Sequence, residues 1–334
     1  MFHIMKLLNL MEVKMNIILD KLTNLGIVPV IALNNSKDAA PLAKALCDGG
    51  LPCAEVTFRT DAAAESIQIM TREFPDMLVG AGTVLTTEQV DAAIQAGAKF
   101  IVSPGLNPKI VKYCVDKGIL IVPGCTNPSD IEQALECGLD AVKFFPAEAC
   151  GGLEMIKAMS APYTKMKFMP TGGINAKNLN TYLDFNRIVA CGGSWMVSGD
   201  LITNGEFDRV TELTRDAVSS MLGFEIAHVG FNLDSEGEAD DLANTFDKML
   251  GFKKKIGTGS IFAGTGLELL KPPYLGANGH IAIKTNYIHR AIFHLNLRGF
   301  EFDMTTAKYD DNQNLKTIYL KDEYGGFALH LIQK

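Results

Sequence analysis

Between about residues 25 and 200, short apolar runs alternate with segments whose apolar residues recur every three to four positions. The runs are Val28–Ala32, Cys53–Phe58, Leu78–Gly82, Phe100–Val102, Ile119–Val122, Ala141–Phe144, Lys167–Met169 and Arg187–Ala190. Runs of this length bounded by turn residues predict strands, and segments such as Thr87–Ala96 and Ser129–Cys137 predict helices between them. Gly97, Gly118 and Gly138 stand where a glycine closes a helix. Eight strands alternating with helices fit an α/β fold, a (β/α)8 TIM barrel. An open doubly wound sheet is the alternative. The first strand–helix turn, however, lacks the G-x-G-x-x-G fingerprint of a dinucleotide site.

Phe207 to Leu222 reads as one more helix and Gly223 as a boundary, beyond which the pattern changes. His228–Asn232, Gly266–Leu270, His280–Lys284, Thr317–Leu320 and Phe327–Ile332 alternate apolar with polar residues, as half-buried strands do. Helical stretches at Asp240–Leu250 and Asn286–Arg298 each run into a Gly-Phe pair, which predicts a duplicated strand–helix–strands unit. The expected organisation is an N-terminal extension over 1–19, the barrel over 20–222 and an α+β domain over 224–334. Met15 is a second candidate start, which would make residues 1–14 dispensable.

A length of 334 residues leaves room for two domains, and 47% apolar with 21% charged residues is an ordinary soluble composition. A net charge of −7 without a basic block argues against nucleic-acid binding. No apolar run reaches the ~18 residues of a membrane span. Lys6, Glu12 and Lys14 interrupt the apolar start, and no small-residue cleavage site follows, so no signal peptide is expected. The seven cysteines include no C-x-x-C pair and all precede residue 192, the usage of a reduced, cytoplasmic protein. Apart from His3, every histidine lies at or beyond His228. Lysine and carboxylates must therefore carry any acid–base chemistry in the first part.

Lys143 sits in a strand otherwise apolar, followed by Phe144, Phe145 and Pro146. A buried ammonium is costly unless paired or neutral, and the neutral amine is the form that attacks a carbonyl. Lys143 is thus a candidate Schiff-base nucleophile; a packed stem with its head in water is the alternative. Glu55, Thr57 and Arg59 share one strand face by alternation, either as site groups or as an in-plane ion pair. The other strands end in Gly80-Ala-Gly-Thr83, Ser103-Pro-Gly105, Pro123-Gly124, Pro170-Thr-Gly-Gly-Ile174 and Cys191-Gly-Gly-Ser-Trp195. Barrel enzymes place their sites at these strand ends. The glycine pairs after strands 7 and 8 are expected to present N–H groups at helix starts, which favours phosphate.

Glu55-Val-Thr-Phe-Arg-Thr60, Val79-Gly-Ala-Gly-Thr-Val84, Ser103-Pro-Gly-Leu106, Lys143-Phe-Phe-Pro-Ala-Glu148, Pro170-Thr-Gly-Gly-Ile174 and Gly192-Gly-Ser-Trp195 follow in order. Together they resemble the 2-keto-3-deoxy-6-phosphogluconate/4-hydroxy-2-oxoglutarate aldolase family over roughly residues 20–222. The resemblance implies a class I aldolase, a homotrimer with no metal or other cofactor at that site. It implies Lys143 as the Schiff-base lysine, Glu55 as general acid/base, and Arg59 and Thr83 at the keto-acid end. Pro104, Phe145 and Thr171 become further substrate contacts, and Gly172, Gly173, Gly193 and Ser194 the phosphate pocket. The implied substrate is a small keto-acid phosphate, cleaved to pyruvate and glyceraldehyde 3-phosphate, or hydroxy-oxoglutarate, cleaved to pyruvate and glyoxylate. The phosphogalactonate analogue stays open, because motifs do not report one inverted carbon. Cys125 and Cys150 adjoin the motifs and are expected only to pack.

The C-terminal part resembles the glyoxalase/bleomycin-resistance (vicinal oxygen chelate) superfamily. The resemblance rests on His228-Val-Gly-Phe, Leu267-Glu-Leu, Gly279-His-Ile-Ala-Ile and Gly325-Gly-Phe-Ala-Leu-His-Leu. It implies two βαβββ repeats closing a cup, with His228, Glu268, His280 and His330 around a divalent metal. The last of these positions is more usually Glu in that superfamily. Such a domain would isomerise or hydrolyse a compound of a linked step. The alternative is a sensor or assembly module whose histidines are simply half-buried strand residues. His289 and His294 are expected at the surface or in packing.

Overall fold

The computed structural model describes residues 2–334, with side chains from Glu12 onward. The chain divides into two compact units between Met221 and Leu222. The first opens with α1 (Phe2–Leu25), β1 (Ile27–Ile31), α2 (Ala39–Asp48), β2 (Cys53–Thr57), α3 (Ala63–Glu73) and β3 (Leu78–Gly82). It continues with α4 (Thr87–Gln95), β4 (Phe100–Ser103), α5 (Pro108–Asp116), β5 (Leu120–Pro123), α6 (Pro128–Glu136), β6 (Ala141–Phe144) and α7 (Gly152–Ser160). It closes with β7 (Lys167–Pro170), α8 (Leu179–Leu183), β8 (Cys191–Gly193), α9 (Gly199–Thr203) and α10 (Phe207–Leu222).

Parallel pairing runs β5-β4-β3-β2-β1-β8, and β6 pairs with β7. Bridges from Gly124 to Lys143 and from Thr171 to Gly192 join these two sheets at both ends. The strands therefore follow one another around a closed ring, in the cyclic order of a (β/α)8 barrel. Residues of β2 to β6 are buried throughout, which is why these strands read as unbroken apolar runs. Helix starts are set by side chains: Thr86, Asn107 and Asn127 accept from the N–H of Gln89, Lys109 and Asp130. Helix ends are set by Gly97, Gly118 and Gly138, with φ of 96°, 66° and 80°. Helix α1 runs across residue 20, and Leu19, Leu22 and Leu25 on it are buried.

Two details differ from the sequence reading. The eighth strand is Cys191–Gly193, not Arg187–Ala190; Ile188 makes only a single bridge, to Phe168. Close packing explains the shift. Gly192 pairs with Val28, and a Cβ on Gly192 would lie 2.3 Å from Thr171 Oγ1, so a glycine segment that reads as a loop is the one that fits the ring. Nor do the glycine pairs open helices: α8 starts at Leu179 and α9 at Gly199, several residues beyond each pair.

The second unit contains β9 (Glu225–Asn232), α11 (Glu236–Leu250), β10 (Lys254–Ile256), β11 (Ser260–Ala263) and β12 (Leu267–Leu270). The same order repeats as β13 (Gly279–Thr285), α12 (Ile288–Leu297), β14 (Phe302–Tyr309), β15 (Leu315–Tyr324) and β16 (Phe327–Gln333). All its strands form one sheet, β10-β11-β12-β9-β13-β16-β15-β14. The two halves repeat in the same strand order outward from the antiparallel β9–β13 pair, as the duplicated pattern predicts. Strands β10, β11 and β14 were not legible as alternating runs; β10 is three residues long, with two lysines. Among the described residues no helix is long and apolar enough to cross a membrane.

Candidate functional site

Lys143 on β6 and Glu55 on β2 point into the first unit's interior. Lys143 Nζ lies 3.3 Å from Glu55 Oε1, with the two side chains only 7% and 1% exposed. Glu55 thus pairs with Lys143, and Arg59 does not share its strand face as expected, because β2 ends at Thr57 and Arg59 stands exposed in the turn beyond it. Its other oxygen, Oε2, is buried without a hydrogen-bond partner. Buried polar atoms are rarely left unpaired, so this oxygen has a proton or a ligand to serve. Gly82 makes room for it: a Cβ there would lie 2.3 Å from Glu55 Oε1. The Phe145 ring flanks the lysine, with its centroid 5.1 Å from Nζ.

Arg59 follows β2, and its Nε donates to Thr83 Oγ1 at 3.4 Å. Thr83 has φ of 56°, a left-handed conformation that a β-branched residue adopts only at a cost. Arg59, Phe145, Thr171, Gly172, Gly173, Gly193 and Ser194 line one cavity of about 370 Å³. Thr83 and Pro104 do not line it. The Pro104 carbonyl instead packs on Gly124, where a Cβ would lie 2.0 Å from its oxygen. Thr57 lines the cavity but gives its hydroxyl to the Ile31 carbonyl, at 2.8 Å.

Below the Gly172-Gly173 turn lies a support that the sequence reading did not single out. Both glycines have left-handed φ, 98° and 85°, and a Cβ on Gly173 would lie 2.4 Å from Glu148 Cγ. The Glu148 N–H donates to the Gly172 carbonyl at 3.1 Å, and the Ala147 N–H to that of Thr171 at 2.8 Å. The Tyr182 hydroxyl donates to Glu148 Oε1. Burial, then the Glu148 carboxylate, pushes the Tyr182 phenol well above its usual range, so it stays a donor. The one available signal was Glu148 itself, closing the Lys143 motif. Ser198 and Gly199 also line the cavity and were not singled out. Cys125 and Cys150 are free thiols; burial pushes Cys125 up to about 12.

A second cluster lies in the second unit. Register pairs His228 with Ala282 and Gly230 with His280 across β9 and β13. Glu268 sits beside Gly230 on β12, and His330 beside Ala282 on β16. A twofold rotation therefore exchanges His228 with His280 and Glu268 with His330. The two Nε2 atoms of His228 and His280 are 3.1 Å apart, and Glu268 Oε2 lies 3.0 and 3.1 Å from them. Ligand atoms of His228, His280 and His330 all fall within 4.8 Å of one another. Gly230 is needed here, because a Cβ would lie 2.2 Å from the His280 ring.

Electrostatics act on two members of this cluster, Glu268 and His330. Burial opposes ionisation of Glu268, but hydrogen bonds from His228, His280 and Ser260 outweigh it and hold the carboxyl below its usual range. Burial, then the neighbouring His280 and His228, pushes His330 down to about 3 and leaves it neutral. Both ring nitrogens of His330, and Nδ1 of His280, are buried without partners. The Tyr319 ring stacks on His330 at 4.5 Å. On α12, His289 is exposed and His294 is buried, the surface and packing positions expected of them.

Comparison with known proteins bears on the first unit. Residues 18–213 match the family model of KDPG and KHG aldolase. A 2-dehydro-3-deoxy-phosphogluconate aldolase of Haemophilus influenzae is 53% identical over 201 residues, 60% of this chain and 95% of that one. The KHG/KDPG aldolase of Escherichia coli K12 is 41% identical over 197 residues, 59% of this chain and 92% of that one. The crystal structure of the KDPG aldolase of Legionella pneumophila, holding pyruvate as a covalent carbinolamine, superposes with a TM-score of 0.58 at 38% identity. It covers 60% of this chain and 97% of that one. With a matched stretch that takes in the buried lysine, its glutamate and both glycine turns, this chain belongs to the KDPG and KHG aldolase family.

Proposed function

We propose that the first unit is a carbon–carbon lyase, a class I aldolase that cleaves 2-keto-3-deoxy-6-phosphogluconate to pyruvate and glyceraldehyde 3-phosphate. Cleavage of 4-hydroxy-2-oxoglutarate to pyruvate and glyoxylate follows the same course. The carrying observation is the buried Lys143–Glu55 pair beside a cavity walled by glycine turns. Lys143 Nζ adds to the C2 carbonyl, and the carbinolamine loses water to give an iminium. Glu55 takes the C4 hydroxyl proton. The C3–C4 bond then breaks, its electrons pass into the iminium, and the aldehyde departs from a pyruvate enamine. Protonation at C3 and hydrolysis release pyruvate and restore the amine. Arg59 binds the carboxylate. Gly172, Gly173, Gly193 and Ser194 offer backbone N–H groups and a hydroxyl to the phosphate. The covalent pyruvate of the Legionella relative and the 3-phosphoglycerate bound to the Zymomonas mobilis relative, 40% identical, support this assignment. Borohydride reduction with pyruvate should place a pyruvyl adduct on Lys143 by peptide mapping. An unmodified Lys143 in folded protein would overturn the mechanism.

We infer that the second unit is a divalent-metal centre of the vicinal oxygen chelate type. Its support is the grouping of the His228, His280 and His330 imidazoles from three strands, with Glu268 beside the first two and the His330 nitrogens buried and unpartnered. Neutral imidazoles and an ionised carboxylate are the donor set such an ion takes. A bound ion would supply Lewis-acid polarisation of a ligand oxygen. Elemental analysis should find one transition metal per chain, lost in His280→Ala; a metal-free wild type after incubation with Zn²⁺, Mn²⁺ or Co²⁺ would refute the reading.

A further inference from the structure

Resting on that metal reading, we propose that the second unit's cup binds a small organic anion whose carboxylate pairs with Lys308. The cup measures about 550 Å³, within the size range of small-molecule sites. Much of its lining obeys the internal twofold. Phe262 faces Glu268 as Tyr319 faces His330, and Ser260 faces Leu270 as Thr317 faces Ile332. Lys308 and Tyr274 break the symmetry: Tyr274 lies beside Tyr319, and Lys308 beside Tyr274. Tyr274 meets the Tyr319 ring at 5.7 Å, and Lys308 Nζ stands 5.9 Å from the Tyr274 centroid. In the first repeat, the residue bonded across from Ser260 is Gly257, which has no side chain to offer.

Charge and reach point to the ligand. Glu268 is the carboxylate of the lining, and Ser260, His228 and His280 already occupy it. Among the described residues Lys308 has no ion-pair partner, and its neighbour is the Tyr274 ring. A divalent ion and Lys308 against one carboxylate leave the occupied cup doubly positive, a field that selects anions. Lys308 pairs with Thr317, which shares a strand face with Tyr319 about 7 Å further along. The four-carbon stem of lysine spans that step, so its ammonium meets a ligand seated against His330. The Tyr274 and Tyr319 rings wall the carbon skeleton between the two ends.

The test uses full-length protein loaded with Co²⁺ and titrated with oxalate, followed by cobalt visible absorption. Wild type should show a saturable spectral change. Lys308→Met should weaken oxalate by about tenfold, the loss of one charge-assisted contact, while cobalt affinity is unchanged. Lys308→Arg, which keeps the charge, should restore most of the affinity. Equal oxalate affinity in wild type and Lys308→Met, or failure of Lys308→Arg to rescue, overturns the assignment and leaves the metal reading standing. Absence of a cobalt spectrum overturns the metal reading, and the anion site with it.

Discussion

At the residue scale, the aldolase site depends on which partner each buried polar group has. Glu55 gives one oxygen to Lys143, and its other oxygen has no hydrogen-bond partner, which leaves it available for the proposed role of general base. Glu55→Gln keeps the shape but removes the base, so kcat for the phosphorylated keto acid should fall by about 10²–10⁴ with the circular dichroism spectrum unchanged. Tyr182 touches no reacting atom in this scheme; it fixes Glu148, which props the Gly172-Gly173 turn. Hydrogen bonds to charged groups contribute about 1.5–3 kcal/mol, and part of that is spent on holding the turn. Tyr182→Phe should therefore raise KM for the phosphorylated substrate by about fivefold, close to 1 kcal/mol, while leaving hydroxy-oxoglutarate unaffected. An equal loss on both substrates would show a general structural role instead.

At the element scale, the barrel is packed around glycines that the sequence shows only as turn residues. Gly80 lies in the middle of β3, where a Cβ would come 2.3 Å from the Phe100 ring. Gly80→Ala should lower unfolding free energy by about 1–3 kcal/mol in urea titration, the usual cost of overpacking. Adding Phe100→Leu should recover part of that loss, because residues in contact do not add independently. The same ambiguity governed what could be read in advance. Strands β1 to β7 were legible because apolar residues on both faces make continuous runs. Strand β8 was misplaced because its packing demands Cys191-Gly-Gly193, whereas the more apolar Arg187–Ala190 merely leads into it. Lys143 and Glu55 were legible because charge inside an apolar strand is costly, whereas Arg59, exposed beyond the end of β2, was legible only through its motif. The Glu148–Tyr182 support was not, since Tyr182 lies 34 residues further on and only the tertiary fold joins them. In the second unit the duplication and the four candidate ligands were legible as a set, but which of them the twofold exchanges appears only with strand register.

At the scale of the whole molecule, the two sites draw on separate stretches of chain. Every residue assigned to the lysine site lies in the unit ending at Met221, and all four candidate metal ligands lie in the unit beginning at Leu222. The Legionella pneumophila structure is covered over 97% of its own length by 60% of this chain, so a chain of that length makes this fold with nothing like the second unit. Gly223 turns the chain with φ of 56° directly after α10. Ending the chain at Leu222 should then leave kcat/KM for the phosphorylated keto acid within about twofold of the full-length value, the spread expected of independent sites. Residues 223–334 alone should still take up one metal ion. A tenfold or larger fall in kcat/KM in a truncated protein that remains folded would show instead that the second unit shapes the lysine site. The second unit would then be energetically coupled to the lysine site.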